Sequence, residues 1–448
     1  MKYQLMLNNI LTQISDYKDI HWKCQDSDEH SILFYKLTND PKAEEVFKER
    51  ISQAKYKYLV VNRSIELKAD NIFVVADEHW PELQKALLDK IYPLPPLKML
   101  AVTGTNGKTT TASLVLQLGE SLGHRGISIG TLGVRDINGT LNDFGLTSPS
   151  YIDLRKFLFT YGQDKDFCIM EVSSHALMQD RLYNIKFEAA GWLSFSQDHL
   201  DYHQTMGEYF LAKARVFQYL NGPLFIPDDQ HDLSQILSSY RYNVEKAPFY
   251  QGELPLFLNA QFNQSNLSVA IAMVEEVFKE KVSPQAVMDL TSADGRFYIK
   301  QVGNSYVVVD FAHTPDALKN ICQGIKKAFP EYKLKVLFGC GGNRDRSKRE
   351  IMGRIAHEMA DFIYLTSDNP RDEDPAQIIS DIAKGISTKN METIVERPLA
   401  VQKALTSLAD NEVLLLAGKG HEDYILIKGV KHPYSDIEEV ENFLKGRP

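Results

Sequence analysis

Hydrophobic residues occur in short runs that alternate with polar segments containing glycine or proline. The buried-strand pattern KMLAVT (98–103) precedes the helical pattern TTTASLVLQLGESLG (109–123), and a second strand pattern, FCIMEVS, follows at 167–173. This alternation is typical of a parallel sheet whose faces are covered by helices. The pattern therefore predicts an α/β protein.

The same alternation continues towards the C-terminus, with strands predicted at 305–311, 333–339, 361–367 and 412–418. Before residue 98, two short strands (58–61 and 71–77) and one helix (82–92) are expected. The proline-rich segment 92–98 is a stiff connector, and the turn-like segment 291–297 marks a second boundary. We predict three domains at 1–97, 98–297 and 298–448: a small α/β domain, a parallel sheet of P-loop ATPase type and a Rossmann-like domain.

Composition excludes several classes of protein. The 448 residues are 44% hydrophobic and 24% charged, which is unlike a disordered or fibrous chain. A net charge of -9 argues against a general nucleic-acid binder. Apolar runs are too short to span a bilayer, the N-terminal segment lacks the apolar block of a secretory signal, and four scattered cysteines suit a reducing compartment. We expect a cytoplasmic protein without membrane insertion.

A glycine-rich loop lies between the predicted strand at 98–103 and the helix that follows it. It reads Gly104-Thr105-Asn106-Gly107-Lys108-Thr109-Thr110. Its amides can surround a phosphate, its lysine adds a positive charge, and a threonine hydroxyl can bind magnesium. Valine replaces the first glycine of the usual GxxxxGK[ST] spacing, at position 102. The loop predicts binding of ATP or GTP; the alternative is a glycine turn with an exposed lysine.

From this loop onwards the sequence resembles the Mur ligases, which build the peptide stem of peptidoglycan. The similarity covers roughly residues 98–440. Its motifs are TGTNGKTT, EVSSHAL (171–177), DHLDYH (198–203), AKARVF (212–217), FNQSN (262–266), DFAHTPDAL (310–318), GCGGNRDRSKR (339–349), DNPRDEDP (368–375) and GKGHEDY (418–424).

The resemblance implies an ATP-dependent ligase that uses Mg²⁺ and an acyl-phosphate intermediate. Among the family's branches, the motifs are most similar to the one that adds meso-2,6-diaminopimelate to UDP-N-acetylmuramoyl-L-alanyl-D-glutamate. The N-terminal domain would then hold the UDP precursor, and a monomer is expected. Alternatives are a lysine-adding ligase, a folylpolyglutamate-type ligase, and a catalytically silent relative that binds the precursor.

By resemblance, the glycine-rich loop and three further residues bind the nucleotide, and other residues bind metal or carry a modification. Lys108 would hold phosphates; Thr109, Glu171 and His199 would bind metal; Lys213 would be a catalytic carbamate; Asn266, Asp310 and His313 would lie near the nucleotide. From the residues alone, His199 is a solvated histidine, Lys213 a helix-surface cation and Asp310 a helix cap.

The resemblance also implies two sets of substrate-binding residues. Thr147, Ser148, Ser173 and Arg181 would bind the UDP precursor, and Arg344, Asp368, Asn369, Pro370, Arg371, Gly418 and Glu422 would bind the amino acid. Arg371 would read a carboxylate of diaminopimelate, and Glu422 its distal ammonium. The alternative is that Arg371 only pairs with Asp372, Glu373 or Asp374 on the surface.

Overall fold

The N-terminal part of the molecule is a small parallel sheet with helices. A computed structural model describes residues 2–38, 40, 42–64, 70–387 and 390–446. The sheet has strand order β1-β2-β3-β4, with β1 Asp19–His21, β2 Ser31–Tyr35, β3 Tyr58–Val61 and β4 Ile72–Val74. Its helices are α1 Lys2–Gln13, α2 Ala43–Gln53 and α3 Trp80–Ile91, with 3₁₀ turns at Cys24–Asp26 and Asp77–His79.

The central part contains an eight-stranded sheet of order β12-β11-β10-β5-β9-β6-β7-β8. Its strands are β5 Lys98–Thr103, β6 Gly126–Gly130, β7 Gly133–Asp136, β8 Gly139–Asn142, β9 Phe167–Glu171, β10 Ala189–Trp192, β11 Leu224–Pro227 and β12 Glu245–Ala247. Its helices are α4 Lys108–Ser121, α5 Tyr151–Tyr161, α6 Ser174–Met178, α7 Leu200–His203, α8 Met206–Ala214, α9 His231–Ser239, α10 Gln261–Phe278 and α11 Pro284–Met288, with 3₁₀ turns at Arg215–Tyr219 and Leu256–Leu258. Strand β7 pairs antiparallel with both β6 and β8 at one edge, and all other neighbouring strands pair parallel.

The C-terminal part contains a six-stranded sheet of order β13-β14-β18-β15-β16-β17 and a separate hairpin of β19 and β20. Its strands are β13 Tyr298–Val302, β14 Ser305–Asp310, β15 Lys333–Phe338, β16 Phe362–Leu365, β17 Met391–Thr393, β18 Glu412–Ala417, β19 Tyr424–Ile427 and β20 Val430–Pro433. Its helices are α12 Pro315–Ala328, α13 Ser347–Met359, α14 Pro375–Ala383, α15 Arg397–Thr406 and α16 Asp436–Lys445.

The apolar runs form central strands because both of their faces are buried. Every residue of β9 and β18 is buried, as expected for strands covered by helices on both sides. One continuous hydrophobic cluster includes Leu100 of β5, Leu267 of α10 and Val336 of β15, so the central and C-terminal sheets share a core. The loops that follow β5 and β14, together with the last residue of β9, line one cleft between these two sheets.

The α/β prediction is confirmed. The predicted strands at 58–61, 98–103, 167–173, 305–311, 333–339, 361–367 and 412–418 all contain strands of the structure. The domain boundaries at 97/98 and 297/298 stay predictions. In the part of the chain that the structure describes, no helix is long and apolar enough to cross a membrane.

Candidate active site

A cleft of about 600 Å³ lies between the carboxyl ends of the central and C-terminal strands. In open α/β sheets this edge is where ligands bind, because the loops that follow parallel strands meet there. The cleft brings together most of the predicted nucleotide and metal residues, which are Thr105, Asn106, Gly107, Lys108, Thr109, Thr110, Glu171, His199, Asn266, Asp310 and His313.

The glycine-rich loop has the conformation expected for holding a phosphate. Gly107 precedes α4 with a φ of 90°, and a Cβ there would lie 2.3 Å from Oδ1 of Asn266. The amide of Asn106 donates to Oγ of Ser194 at 2.9 Å, so the loop is braced by the segment after β10. Only glycine combines this backbone angle with such a close neighbour.

Two lysines converge on one carbonyl of this loop. Nζ of Lys108 donates to the carbonyls of Gly104 and Thr105 at 2.8 and 3.0 Å, and Nζ of Lys213 donates to the same Gly104 carbonyl at 2.8 Å. Lys213 is only 1% exposed, so its interpretation as a helix-surface cation is wrong. Burial, and then the neighbouring charge of Lys108, hold the pKa of Lys213 well below its usual range.

A buried carboxylate faces the start of α4. Glu171 ends β9; its Oε2 accepts from the hydroxyls of Thr109 and Thr131, both at 3.1 Å, and its Oε1 accepts from the Thr131 amide at 2.9 Å. Gly130 makes room for this carboxylate, because a Cβ there would lie 2.2 Å from Oε1. The site therefore offers carboxylate and hydroxyl oxygens, which are the ligands that magnesium prefers.

His199 lies at the mouth of the cleft. Its side chain is 45% exposed, and its Nε2 is 3.4 Å from Oδ2 of Asp198. Desolvation, and then Lys108, His175 and Lys213, outweigh Asp198 and lower the pKa of His199 to about 4, so its ring is neutral near pH 7. No group of three or more His, Cys, Asp or Glu side chains forms a metal cluster among the described residues.

The C-terminal wall of the cleft contributes Asp310 and an arginine that sequence reasoning missed. The Asp310 carboxylate accepts from the amides of Phe297 and Ala312, both at 2.8 Å, so it does not cap α12. Arg296 donates to the Thr109 hydroxyl at 3.3 Å and lies 4.5 Å from the Phe311 ring centroid. Its Nε is buried without a hydrogen-bond partner among the described residues. An orphaned donor beside a phosphate loop fits an anionic ligand.

Asn266 and His313 lie on opposite walls of the same cleft. Asn266 is buried on α10 beside Gly107, and its Nδ2 donates to Oδ1 of Asn263 at 3.3 Å. Nδ1 of His313 lies 2.8 Å from the Phe311 carbonyl, and the His313 carbonyl accepts from Lys348 at 2.9 Å.

Three hydroxyls predicted to bind substrate cluster at the end of β9. Oγ of Ser148 donates to the Glu171 carbonyl at 2.9 Å and lies 3.2 Å from Oγ of Ser173, and Thr147 accepts from Thr131 at 3.2 Å. Arg181 donates to the Ser148 carbonyl at 2.7 Å. These residues connect the first cleft to a second one.

The second cleft, of about 840 Å³, lies between the N-terminal and central parts, and Arg181 lines it. Sequence reasoning assigned none of its N-terminal residues. Its wall combines aromatic side chains with basic ones, which include Trp22, Tyr35, Trp80, Lys36, Lys42 and Arg50.

The predicted amino-acid residues gather where β15, β16 and β18 end. Nη1 of Arg371 donates to the Gly342 carbonyl at 2.8 Å. Arg344 flanks the same turn: a Cβ on Gly341 would lie 2.8 Å from Nη1 of Arg371 and 3.8 Å from Cγ of Arg344. A Cβ on Gly418, whose φ is 109°, would lie 2.9 Å from Oδ2 of Asp368.

Arg371 does not form the surface pairs considered as its alternative. Glu373 pairs with Arg346 and Arg349, Asp372 accepts from Asn343 at 2.7 Å, and Asp374 caps α14. Burial, and then Arg344, lower the pKa of Arg371 from its usual value. Arg371 therefore feels the positive charge of Arg344, and an anionic group such as a carboxylate would relieve that repulsion.

Sequence reasoning also missed Thr131, Asp198 and Lys419. Asp198 lies in the DHLDYH motif and Lys419 in the GKGHEDY motif, so both could have been found as candidate site residues from the sequence. Thr131 and Arg296 lie in segments without a motif, and only the folded chain brings Thr131 to Glu171 and Arg296 to Thr109.

Two family models and a relative match this chain. A family model described as the Mur ligase middle domain matches residues 102–253, and one described as the Mur ligase, glutamate ligase domain matches 295–420. The UDP-N-acetylmuramoyl-L-alanyl-D-glutamate–2,6-diaminopimelate ligase of Rickettsia rickettsii is 34% identical, over 86% of this chain and 88% of its own.

Two solved structures have a similar fold. A UDP-N-acetylmuramoyl-L-alanyl-D-glutamate–2,6-diaminopimelate ligase superposes with a TM-score of 0.62 at 29% identity, covering 96% of this chain and 95% of that one. The MurF ligase of Thermotoga maritima, in complex with ADP, superposes with a TM-score of 0.61 at 14% identity, covering 96% and 98%.

Proposed function

Because this chain belongs to the Mur ligase family, we propose that it joins meso-2,6-diaminopimelate to UDP-N-acetylmuramoyl-L-alanyl-D-glutamate through an ATP-driven amide bond. The reaction would occur in the cytoplasm, and the protein would act as a monomer, since one chain carries residues for each step. The observation that carries this proposal is the pair Arg344 and Arg371 at the mouth of a site that also contains Glu422. That combination suits an amino acid whose far end carries both a carboxylate and an ammonium.

The phosphate loop would bind ATP through its amides and through Lys108. Phosphoryl transfer to the precursor carboxylate requires neutralisation of the transferred group more than covalent help from the protein. Lys108 and Arg296 would supply positive charge on two sides of that group. Asn266, Asp310 and His313 would bind the remainder of the nucleotide.

Magnesium would be bound by Thr109 and Glu171, with His199 as a further ligand. The buried oxygens of the first two fit this ion, because magnesium sites commonly use one or two carboxylates together with substrate phosphates. When bound, the ion would neutralise phosphate charge and orient the carboxylate that is to be phosphorylated. The neutral ring of His199 leaves a lone pair available.

Lys213 would act as a carbamate. Adding carbon dioxide requires a neutral amine, and burial beside Lys108 favours that state. The carbamate is an anion, so the repulsion between Lys108 and Lys213 would become an attraction. The modified side chain would then hold Lys108 or a metal ion against the phosphates.

The UDP precursor would lie in the second cleft and reach the first through the hydroxyl cluster. Aromatic side chains such as Trp22 and Trp80 can contact a base or sugar, and basic ones such as Lys36 suit the diphosphate. Arg181, Thr147, Ser148 and Ser173 would direct the glutamyl carboxylate towards Glu171 and the phosphate loop.

The direct test is ATP-dependent phosphate release with the UDP dipeptide precursor and meso-diaminopimelate, L-lysine or L-glutamate as acceptor. We expect release and a new amide product, identified by mass spectrometry, with diaminopimelate far ahead of the other two. Preference for lysine would favour the lysine-adding alternative, and preference for glutamate the folylpolyglutamate type. ATP or precursor binding without phosphate release from any acceptor would favour the silent relative.

A further inference from the structure

Lys419 is a fully buried lysine between the two loops predicted to hold the acceptor amino acid. It follows β18 in the GKGHE motif, and it is 0% exposed. Its Nζ donates to Oδ1 of Asn369 at 2.7 Å, to Oε2 of Glu422 at 3.0 Å and to the Tyr424 carbonyl at 2.7 Å. A lysine ammonium has three donors, so these bonds use all of them.

Lys419 also balances the charge of two carboxylates from different loops. Its Nζ lies 3.3 Å from Oδ1 of Asp368 and 3.0 Å from Oε2 of Glu422. Without the lysine, two partly or fully buried carboxylates would face each other, and buried charges are stable only when they are paired. Lys419 therefore connects the loop after β16 to the loop after β18.

This arrangement fixes one oxygen of Glu422 and leaves the other available. Oε2 accepts from Lys419 and from Nδ2 of Asn369, the latter at 2.9 Å. Among the described residues, Oε1 of Glu422 accepts no hydrogen bond. The orientation of Oε1 is consequently set by Lys419, which is too deeply buried to contact a bound amino acid itself.

We propose that Lys419 is a positioning residue that selects acceptors with a distal ammonium, by holding the Glu422 carboxylate in the orientation that binds this group. The inference rests on the proposed function. It assigns Lys419 no contact with substrate, in contrast to Arg371 and Glu422. Loss of Lys419 should weaken recognition of the ammonium while recognition of the distal carboxylate by the arginines remains.

The test compares two acceptors in wild-type protein and in the variant Lys419→Met. One acceptor is meso-diaminopimelate, and the other is 2-aminopimelate, which keeps both carboxylates but lacks the distal ammonium. We expect Lys419→Met to raise KM for diaminopimelate by at least ~10-fold, as for loss of a charged contact, with a much smaller change in kcat. KM for 2-aminopimelate should stay within ~3-fold, and Lys419→Arg should partly restore the preference.

Lys335→Met is the matched control, because it removes an ion-paired lysine from the same sheet. Lys335 lies near the start of β15, pairs with Glu412 and has a side chain 13% exposed. This control should leave the ratio of the two KM values unchanged. An equal rise in both KM values in Lys419→Met, or an effect no larger than that of Lys335→Met, would overturn the inference.

If Lys419→Met does not fold, the double variant Lys419→Met/Glu422→Gln is used. The second substitution removes the charge of Glu422, one of the two carboxylates that would otherwise lack the lysine as a partner. The double variant should resemble Glu422→Gln alone in its KM values, since Lys419 acts through Glu422. A further loss of discrimination beyond Glu422→Gln would contradict this dependence. Wild-type protein that does not use diaminopimelate at all would instead refute the proposed function.

Discussion

At the scale of the residue, burial changes what a side chain can do. Lys213 has the sequence context of an ordinary helical lysine, yet it is buried against the Gly104 carbonyl beside Lys108. No carboxylate is within ion-pair distance of it among the described residues, and burial holds its pKa well below the usual range, which favours the neutral amine. Sequence spacing cannot reveal this, because the burial results from packing of α8 behind the phosphate loop.

Lys213→Ala is expected to lose most ligase activity but to retain ATP binding, because the anion formed from this lysine would be absent. Activity is measured as phosphate release with precursor and diaminopimelate. A small carboxylic acid such as acetate should partly restore it by occupying the vacated space. Unchanged activity of the alanine variant in bicarbonate-free buffer would refute the carbamate.

Arg371→Ala is expected to lose on the order of 2–5 kcal/mol in kcat/KM for diaminopimelate, as when one partner of a buried charged pair is removed. Use of lysine, which lacks the distal carboxylate, should change far less. The matched control is Arg346→Ala, since Arg346 is an exposed arginine of the neighbouring loop that pairs with Glu373. Equal losses for both acceptors would show that Arg371 is not the selector.

At the scale of the element, the sequence predicts long buried strands well and short edge strands poorly. The apolar run of β18 is wholly buried, whereas β12, β17 and β8 are short and partly polar. Edge strands of this kind form because a neighbouring strand supplies hydrogen bonds, and that neighbour is distant in sequence. The same limit applies to the hairpin of β19 and β20, which lies outside the larger sheets.

Two glycines flank α4, the helix that follows the phosphate loop. Alanine substitutions at these glycines separate the cost of a positive φ from the cost of a steric clash. Gly107 and Gly123 have φ values of 90° and 89°, but a Cβ meets Asn266 only at Gly107 and meets nothing within 4 Å at Gly123. Gly123→Ala should cost about 1–2 kcal/mol of unfolding free energy from strain alone.

Gly107→Ala should cost more than Gly123→Ala and should also abolish nucleotide binding, because the loop must move away from Asn266. Thermal unfolding and nucleotide titration measure the two effects. Equal stability and equal nucleotide affinity in both variants would show that the close approach to Asn266 has no consequence.

At the scale of the whole molecule, the site exists only where separate sheets meet. The motifs located Glu171, Lys108 and Asp310, but Arg296 carries no motif and reaches Thr109 because the segment before β13 crosses the cleft. Asp316 similarly accepts from Asn106 at 2.9 Å and from Ser196 at 3.1 Å, across the same boundary. Contacts of this kind depend on how the sheets pack, which local sequence patterns do not specify.

Arg296→Met is expected to lower kcat by on the order of 10²–10³-fold, as for loss of a preorganised donor to developing charge. Folding should be affected little. Arg135→Met is the control, because Arg135 pairs with Asp294 of the same segment at 2.6 Å without donating to Thr109. Comparable kcat losses in the two variants would show that Arg296 only stabilises the segment before β13 and does not act on the transferred group.

The central claim is that ATP activates a precursor carboxylate that the amino acid then attacks. The most direct measurement uses UDP dipeptide precursor with ¹⁸O in the reacting glutamyl carboxylate, together with ATP and meso-diaminopimelate. An acyl phosphate requires that the released phosphate carry one ¹⁸O atom and that the amide product keep the other. Release of unlabelled phosphate, with both labelled oxygens still in the precursor, would contradict the account.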